Sequence, residues 1–123
     1  MLSHQSLQKT AILLAVITTL SACAMLNPSK YDDFAQCLTD EGATYYGSFT
    51  CPACAQQDQL FRASKEHLDY VECTTPDGQG TTVTCQAEEI TSTPTWEFED
   101  GTRLEGVQSL EALAEQTGCE LPE

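Results

Sequence analysis

The sequence predicts an α/β fold in which a mixed four-stranded sheet is flanked by helices. Stretches with helical periodicity alternate with short strand-like runs, in the order helix, strand, helix, strand, helix, hairpin, helix. The hairpin makes two neighbouring strands antiparallel, whereas strands joined through a helix can run parallel. With 123 residues, the chain has room for one domain.

The first helix is predicted to begin near Ser29. Ser29 and Asp32 form the [ST]-x-x-[DE] pattern of a helix N-terminus, and apolar residues recur at helical spacing until Gly42. Residues 43–49 contain two adjacent tyrosines, a residue type that is common in strands. We therefore expect a strand that ends just before the CPAC sequence at Cys51.

A second helix is predicted from Pro52, because proline suits the first helical turn, where a missing N–H group costs nothing. Residues 53–66 contain no other helix breaker, so we expect one continuous helix there. Residues 68–73 are strand-like, and TPDGQG after them is typical of a turn. A third helix is indicated by apolar residues at helical spacing: Val83, Ala87 and Ile90.

The last third of the chain predicts a β-hairpin and a final helix. Trp96 and Phe98 lie on one face of a strand-like run, and the Asp-Gly pair at 100–101 is typical of a hairpin turn. Ser109 can cap the final helix, and Gly118 can end it. The apolar face of this helix consists of Leu110, Leu113 and Ala114.

Residues 1–22 have the features of a secretory signal peptide. Lys9 is the only basic residue before an apolar and threonine run at residues 10–20. That run is shorter than the ~20 residues a helix needs to span a bilayer. We therefore expect the chain to leave the cytoplasm.

The end of the signal predicts a lipid anchor. The sequence LSAC, which ends at Cys23, resembles the lipobox of bacterial lipoproteins, in which the cysteine is lipidated and becomes the N-terminus. We expect a tether at residues 23–29, a domain at residues 30–123 and a cell-envelope location facing the periplasm. Ala24 after the cysteine favours the outer membrane in a Gram-negative cell. The alternative is ordinary cleavage after Ala22 or Ala24, which leaves a soluble protein.

The charge excludes several classes of partner. A formal net charge of −14 should repel nucleic acid and anionic membrane surfaces. Only His67 remains after the signal, which disfavours a histidine-rich metal site and a Ser-His-Asp triad. We expect a monomer that needs no metal and no organic cofactor.

Six cysteines follow Cys23: Cys37, Cys51, Cys54, Cys73, Cys85 and Cys119. In a small exported domain, an even number of cysteines favours disulfides over metal sites. The alternative is a zinc site formed by Cys51, Cys54, Cys73 and Cys85. Structural zinc sites usually combine two short ligand pairs, and the spacing of Cys73 and Cys85 provides no second short pair.

The pair Cys51 and Cys54 is suited to redox chemistry. A disulfide between them closes a very small loop and so restrains the unfolded chain little. At a strand-to-helix junction, Cys51 lies at the helix N-terminus, where free N–H groups and the helix dipole favour the thiolate. Cys54, one turn later, can attack a mixed disulfide formed at Cys51. Cys51 is thus the candidate reactive sulfur and Cys54 the resolving sulfur.

The CPAC motif at this junction, followed by Thr93-Pro94 before a hairpin and a final helix, resembles the thioredoxin fold. The sequences FAQCLTDEGATYYGSFTCPACAQQ, YVEC, PTWEFEDG and GVQSLEALAEQTGC are similar to the small thioredoxin-like domain found fused to bacterial vitamin K epoxide reductase homologues or encoded alone. The resemblance runs from Phe34 to Cys119. It implies a three-layer thioredoxin-like fold, here in a stand-alone lipoprotein.

The resemblance also assigns roles to residues. It implies that Cys51 is the nucleophile, that Cys54 resolves the mixed disulfide, and that Pro94 is a cis-proline. Thr93 then offers its backbone to an extended substrate segment. The alternative is a trans-proline that opens a strand.

Two positions depart from the thioredoxin pattern. Thr50 stands where a tryptophan usually precedes the motif, and Tyr45 stands where cytoplasmic thioredoxin has a buried aspartate. Proton removal from Cys54 must therefore use another group or water. Both departures argue against a role as a general thioredoxin reductant.

The other cysteines are expected to form two structural disulfides, because relatives resembling this chain carry cysteines at similar places. Cys73 is expected to pair with Cys85, and Cys37 with Cys119. The alternative for Cys73 and Cys85 is a second redox couple that exchanges electrons with the CPAC pair.

The predicted function is that of an exported thiol-disulfide oxidoreductase whose partners are cysteine-containing protein substrates. The resemblance implies reoxidation by a membrane partner, a quinone-linked protein similar to vitamin K epoxide reductase. Oxidant, reductant and isomerase roles all remain open at this point. Two other functions are a non-catalytic binding or structural lipoprotein with the same fold and copper handling through the dithiol.

Overall fold

The computed structural model describes residues 28–123. The predicted signal peptide, the lipidation candidate Cys23 and most of the predicted tether lie outside these residues. Within the described part of the chain, no helix combines the length and apolar character that crossing a membrane requires.

The elements follow one another in an alternating order. The helices are α1 (Asp32–Asp40), α2 (Pro52–Phe61), α3 (Val83–Ala87) and α4 (Leu110–Thr117), with a 3-10 helix at Arg62–His67. The strands are β1 (Thr44–Gly47), β2 (Asp69–Glu72), β3 (Thr95–Glu97) and β4 (Arg103–Glu105).

The four strands form one mixed sheet in the order β2-β1-β3-β4. Strand β1 is parallel to β2 and antiparallel to β3, and β3 and β4 form the antiparallel hairpin. In this register Tyr45 lies between Tyr70 and Trp96. The prediction of an α/β fold with a mixed four-stranded sheet and flanking helices is confirmed, and the arrangement is compatible with a thioredoxin-like fold.

Two apolar clusters cover opposite faces of the sheet, because successive strand residues point to opposite sides. Tyr45 belongs to the larger cluster, in which its ring stacks on Trp96 at a centroid distance of 4.8 Å. The ring of Phe61 packs against that of Trp96 at a centroid distance of 5.9 Å. This contact holds the end of α2 against the sheet. Tyr46 belongs to the smaller cluster, which it forms with Cys73 and Cys85.

The predicted continuous helix at residues 53–66 is wrong. Helix α2 ends at Phe61, because Arg62 has a positive φ of 55° and the chain continues as a 3-10 helix. This break places the buried Ser64 against α1, where its hydroxyl donates to Asp32 at 2.7 Å. Tertiary contacts after Phe61 thus override the absence of a helix breaker in the sequence.

The boundaries of two other helices differ from the predicted ones by a few residues. Helix α3 ends at Ala87, and Ile90 instead packs against the smaller apolar cluster from a loop. Helix α1 begins at Asp32, whose carboxylate accepts a hydrogen bond from the backbone N–H group of Ser29 at 2.7 Å. Ser109 and Gly118 delimit α4 as predicted, since the Ser109 hydroxyl accepts from Ala112 N and Gly118 has a left-handed backbone.

Candidate functional site

Cys51 lies at the end of the short connection between strand β1 and helix α2. It is the N-cap residue of α2, with extended backbone angles, and Pro52 occupies the first helical position. Its sulfur accepts a hydrogen bond from the backbone N–H group of Cys54 at 3.1 Å. The side chain is partly exposed and forms no disulfide. The sulfur therefore faces the free N–H groups that every helix leaves at its first turn.

These contacts favour the thiolate of Cys51. Partial burial raises the pKa of the thiol, but hydrogen bonds with the side chain of Cys54, with Thr93 and with the backbone of Cys54 and Ala53 outweigh it, so the net pKa lies below the ordinary value. A thiolate is the nucleophilic form of cysteine. Cys51 can therefore attack a disulfide near neutral pH more readily than an ordinary cysteine.

Cys54 has the opposite character. It is buried with 3% of its surface exposed and forms no disulfide. Burial raises the pKa of its thiol to about 11, and the hydrogen bond to Cys51 acts in the same direction. The two sulfurs are thus unequal: one is accessible and acidic, and the other is shielded and protonated at neutral pH.

A cis peptide bond joins Thr93 to Pro94 and places Thr93 beside the motif. The Cys51 thiol lies 3.4 Å from the Thr93 carbonyl oxygen, to which it donates a hydrogen bond. Pro94 in turn accepts from the backbone N–H group of Gly106 at 2.8 Å. The segment before the hairpin is thereby held against the reactive sulfur.

An uncharged cleft of about 270 Å³ opens beside Cys51. Hydroxyl groups form most of its lining, with Ser48, Thr50, Thr74, Thr81, Thr91, Ser92 and Thr93 around Cys51, Cys73 and Ile90. No carboxylate lines the cleft, although the chain carries 19 acidic residues. A polypeptide segment that enters this cleft therefore meets hydroxyl groups and no carboxylate.

Glu72 stabilises the loop that precedes Cys51 through hydrogen bonds. The sequence analysis did not predict this role. Its carboxylate accepts hydrogen bonds from the backbone N–H groups of Phe49 at 3.1 Å and Thr74 at 2.8 Å. The Tyr70 hydroxyl donates to the same carboxylate at 2.6 Å. Glu72 lies at the end of β2 and far from the motif in sequence, so no local pattern indicates this contact.

Tyr45 and Asp58 form a second polar group behind the motif. The Tyr45 hydroxyl lies 3.1 Å from Asp58 Oδ1 and 3.3 Å from the carbonyl oxygen of Cys54. Lys65 donates to the other carboxylate oxygen of Asp58 at 2.9 Å. The sequence analysis did not predict a role for Asp58 either, although Asp58 lies one helical turn after Cys54 and so on the same face of α2.

The remaining four cysteines of the described chain form two disulfides. Cys37 is bonded to Cys119 at an S–S distance of 2.08 Å, and Cys73 to Cys85 at 1.99 Å. The second bridge removes two of the four ligands that the zinc alternative requires. Among residues 28–123, no cluster of three or more His, Cys, Asp or Glu side chains is placed to hold a metal ion.

Comparison with known proteins finds a similar redox protein. The chain is similar to thiol-disulfide oxidoreductase LTO1 of Arabidopsis thaliana, with 40% identity over 92 residues. This match covers 71% of the chain but 24% of the relative, so the chain spans about a quarter of that protein's length. No protein-family model matches the chain. The similarity supports a thioredoxin-like redox domain.

Proposed function

We propose that this chain is a thiol-disulfide oxidoreductase that exchanges disulfides with cysteine-containing protein substrates. The observation that carries the proposal is the inequality of its two free thiols, an acidic Cys51 at a helix N-terminus and a buried Cys54 one turn later. The name of the Arabidopsis relative, a thiol-disulfide oxidoreductase, supports the same activity.

The reaction proceeds by two sulfur exchanges. The Cys51 thiolate attacks one sulfur of a partner disulfide, forms a mixed disulfide and releases the other partner sulfur as a thiolate. Cys54 then attacks the Cys51 sulfur, which frees the second partner sulfur and leaves a Cys51–Cys54 disulfide. The partner is reduced by two electrons and the motif is oxidised by two. The reverse sequence oxidises a partner dithiol.

The Thr93-Pro94 segment positions the partner. Thr93 lies beside the reactive sulfur and lines the hydroxyl-rich cleft, so its backbone is placed to align an extended partner segment there. The neutral lining admits that segment in an otherwise acidic protein. No organic cofactor or metal takes part in either exchange.

The activity is tested with the reduced protein, with insulin or another disulfide-containing protein as substrate, and with two single variants. Cys51→Ser should abolish turnover, and Cys54→Ser should accumulate a mixed disulfide with the substrate that mass spectrometry detects. Gln56→Ala, an exposed position on the same helix that leaves the motif and both structural disulfides intact, is the matched control. Full turnover by Cys51→Ser would refute the proposal.

The physiological setting is proposed from the N-terminal sequence. Lipidation at Cys23 would hold the domain at a membrane on the periplasmic side, in reach of a quinone-linked partner similar to vitamin K epoxide reductase that reoxidises the motif. Palmitate labelling that disappears in Cys23→Ala tests the anchor, and absence of label in the unaltered chain excludes it. The reduction potential of the Cys51–Cys54 couple tests the oxidase direction, because a strongly negative value contradicts it.

A further inference from the structure

Phe49 is an exposed aromatic residue on the turn that leads to the reactive sulfur. Its side chain keeps 62% of its surface accessible, although it lies only two residues before Cys51. The backbone N–H group of Cys51 donates to the carbonyl oxygen of Ser48 at 3.2 Å, which closes residues 48–51 into one turn. The Cα atoms of Phe49 and Cys51 are at most ~7 Å apart, because two residues span no more than this. A partner that is bonded to Cys51 therefore lies close to the Phe49 ring.

The turn is ordered by contacts in which the Phe49 ring takes no part. The Glu72 carboxylate accepts hydrogen bonds from the backbone N–H groups of Phe49 at 3.1 Å and Thr74 at 2.8 Å, and from the Tyr70 hydroxyl at 2.6 Å. These bonds hold the backbone of Phe49 and leave its side chain at the surface. A partner that packs on this ring therefore orders little additional chain, which lowers the entropic cost of binding.

Phe49 borders a cavity that is suited to an apolar side chain. The cavity has a volume of about 660 Å³, and its other apolar residues include Leu68 and Tyr70, which is 41% exposed. Such a volume lies in the range of sites that bind small organic groups. Its charged side chains nearly balance, with two basic and three acidic residues: Arg62, Lys65, Asp58, Glu66 and Glu72. In a chain with a net charge of −14, this near balance favours an uncharged occupant over a cationic one.

The cavity adjoins the hydroxyl-lined cleft beside the reactive sulfur. Ser48 lines both of them. Thr50 and Cys51 line the cleft, whereas Phe49 lines the cavity. An extended partner segment whose cysteine is bonded to Cys51 therefore meets hydroxyl groups on one side of that cysteine and the Phe49 ring on the other.

We propose that Phe49 determines specificity by selecting partner segments that carry an aromatic side chain about two residues from the reacting cysteine, an inference that rests on the exchange activity proposed above. The spacing follows from the ~7 Å limit between Phe49 and Cys51, since an extended segment advances ~3.3 Å per residue. The partner's aromatic side chain packs on the Phe49 ring and enters the cavity toward Tyr70. This contact forms as the partner cysteine approaches Cys51, so it accelerates the first exchange.

The selectivity can be measured with three short peptides, each with one cysteine activated as a mixed disulfide with 5-thio-2-nitrobenzoate. One peptide has serine on both sides of the cysteine, one has phenylalanine two residues before it, and one has phenylalanine two residues after it. In a Cys54→Ser background, the Cys51 thiolate attacks the peptide sulfur and forms a disulfide with it. Thionitrobenzoate leaves with the electron pair as a coloured thiolate, so stopped-flow absorbance gives the rate constant, and mass spectrometry verifies the peptide adduct.

With Phe49 present, one of the two phenylalanine peptides should react ~2–10-fold faster than the serine peptide, which is the usual effect of one aromatic contact. Phe49→Ser should remove this preference, so that the three rate constants converge on that of the serine peptide. Phe49→Leu should retain part of it. The rate at which iodoacetamide alkylates Cys51 should be the same in all three proteins, because the bond to Glu72 uses the backbone of residue 49.

Leu60→Ser is the matched control, since Leu60 is an exposed apolar residue near the end of α2 that is distant from the motif in sequence. It should leave the preference unchanged. Equal rate constants for the three peptides with Phe49 present would overturn the proposal, as would a preference that survives in Phe49→Ser. An equal loss for all three peptides in Phe49→Ser would also overturn it, because the ring would then support the turn instead of the partner. A chain without exchange activity would fail already with the serine peptide.

Discussion

The side-chain oxygen of Gln57 accepts a hydrogen bond from the indole nitrogen of Trp96 at 3.2 Å, and both side chains are completely buried. The same oxygen accepts from Gln108 N at 2.7 Å, and the Gln57 amide nitrogen donates to Gln108 O at 3.0 Å. One carboxamide thus joins helix α2 to the hairpin and to the loop that follows it. This loop contains Gly106, whose backbone N–H group donates a hydrogen bond to the carbonyl oxygen of Pro94.

Gln57→Ala should lower the free energy of unfolding by ~2–4 kcal/mol. The substitution leaves the indole N–H group and two backbone groups without partners in the interior, and each unsatisfied group costs ~1–3 kcal/mol, less whatever water can recover. Chemical denaturation of the oxidised protein measures the loss. Gln56→Ala is the control, since Gln56 lies on the exposed side of the same helix and should change stability by less than ~0.5 kcal/mol.

The sequence predicts those parts of the fold that depend on local chemistry. Pro52 opens α2, Ser109 caps α4 and Gly118 ends it, because capping and left-handed glycine are properties of a few adjacent residues. The break at Arg62 was not predictable in this way. It depends on contacts of Ser64 with α1, which lies about thirty residues earlier in the chain.

The candidate site also combines features that the local sequence predicts with features that it does not. The position of Cys51 at a helix N-terminus follows from a strand-like run and a proline, so the sequence is sufficient to predict it. Glu72 and Tyr45 act through residues on other elements, namely Phe49 and Asp58. Sequence periodicity indicates which face of an element is apolar, but it carries no information about which polar atoms meet across elements.

The two disulfides should differ in their contribution to stability. Cys37 and Cys119 are separated by 82 positions, whereas Cys73 and Cys85 are separated by 12. On the chain-entropy description, removal of the first bridge costs ~4.5 kcal/mol and removal of the second ~3 kcal/mol. Guanidinium unfolding of the double variants Cys37→Ala/Cys119→Ala and Cys73→Ala/Cys85→Ala measures both values. A larger loss for the shorter loop would contradict the entropic origin.

Gly47→Ala should disturb the loop that leads to the motif. A Cβ atom at Gly47 would lie 2.5 Å from Cε2 of Tyr70, so the ring must move. This movement weakens the hydrogen bond from Tyr70 to Glu72, which fastens the same loop. We expect a destabilisation of ~1–3 kcal/mol, measured by chemical denaturation. Gly80→Ala is the control, because the nearest atom to its Cβ would be Thr75 Oγ1 at 3.4 Å.

The pH dependence of alkylation should separate the two free thiols. Contacts at the helix N-terminus lower the pKa of Cys51 despite its partial burial, whereas burial raises the pKa of Cys54 to about 11. Iodoacetamide should therefore modify Cys51 selectively at neutral pH in the reduced protein, and Cys54 only in strongly alkaline solution. Peptide mass mapping after short exposures measures both rates. Equal modification of the two sulfurs at neutral pH would contradict the proposed asymmetry.

The same shifts make the stability of the reduced protein depend on pH. For Cys51 the folded-state pKa is lower than the unfolded one, so its stabilising contribution is complete above the unfolded-state pKa and is lost as the pH falls through the folded-state value. Cys54 has the opposite sign, because its contribution is lost as the pH rises toward about 11. The free energy of unfolding of the reduced protein, minus that of reduced Cys51→Ala, should therefore increase from acidic pH to the ordinary cysteine pKa of ~8.5. If this difference in unfolding free energy stays constant over the interval, the helix N-terminus does not stabilise the thiolate. Cys51 would then be no better a nucleophile than an ordinary surface cysteine.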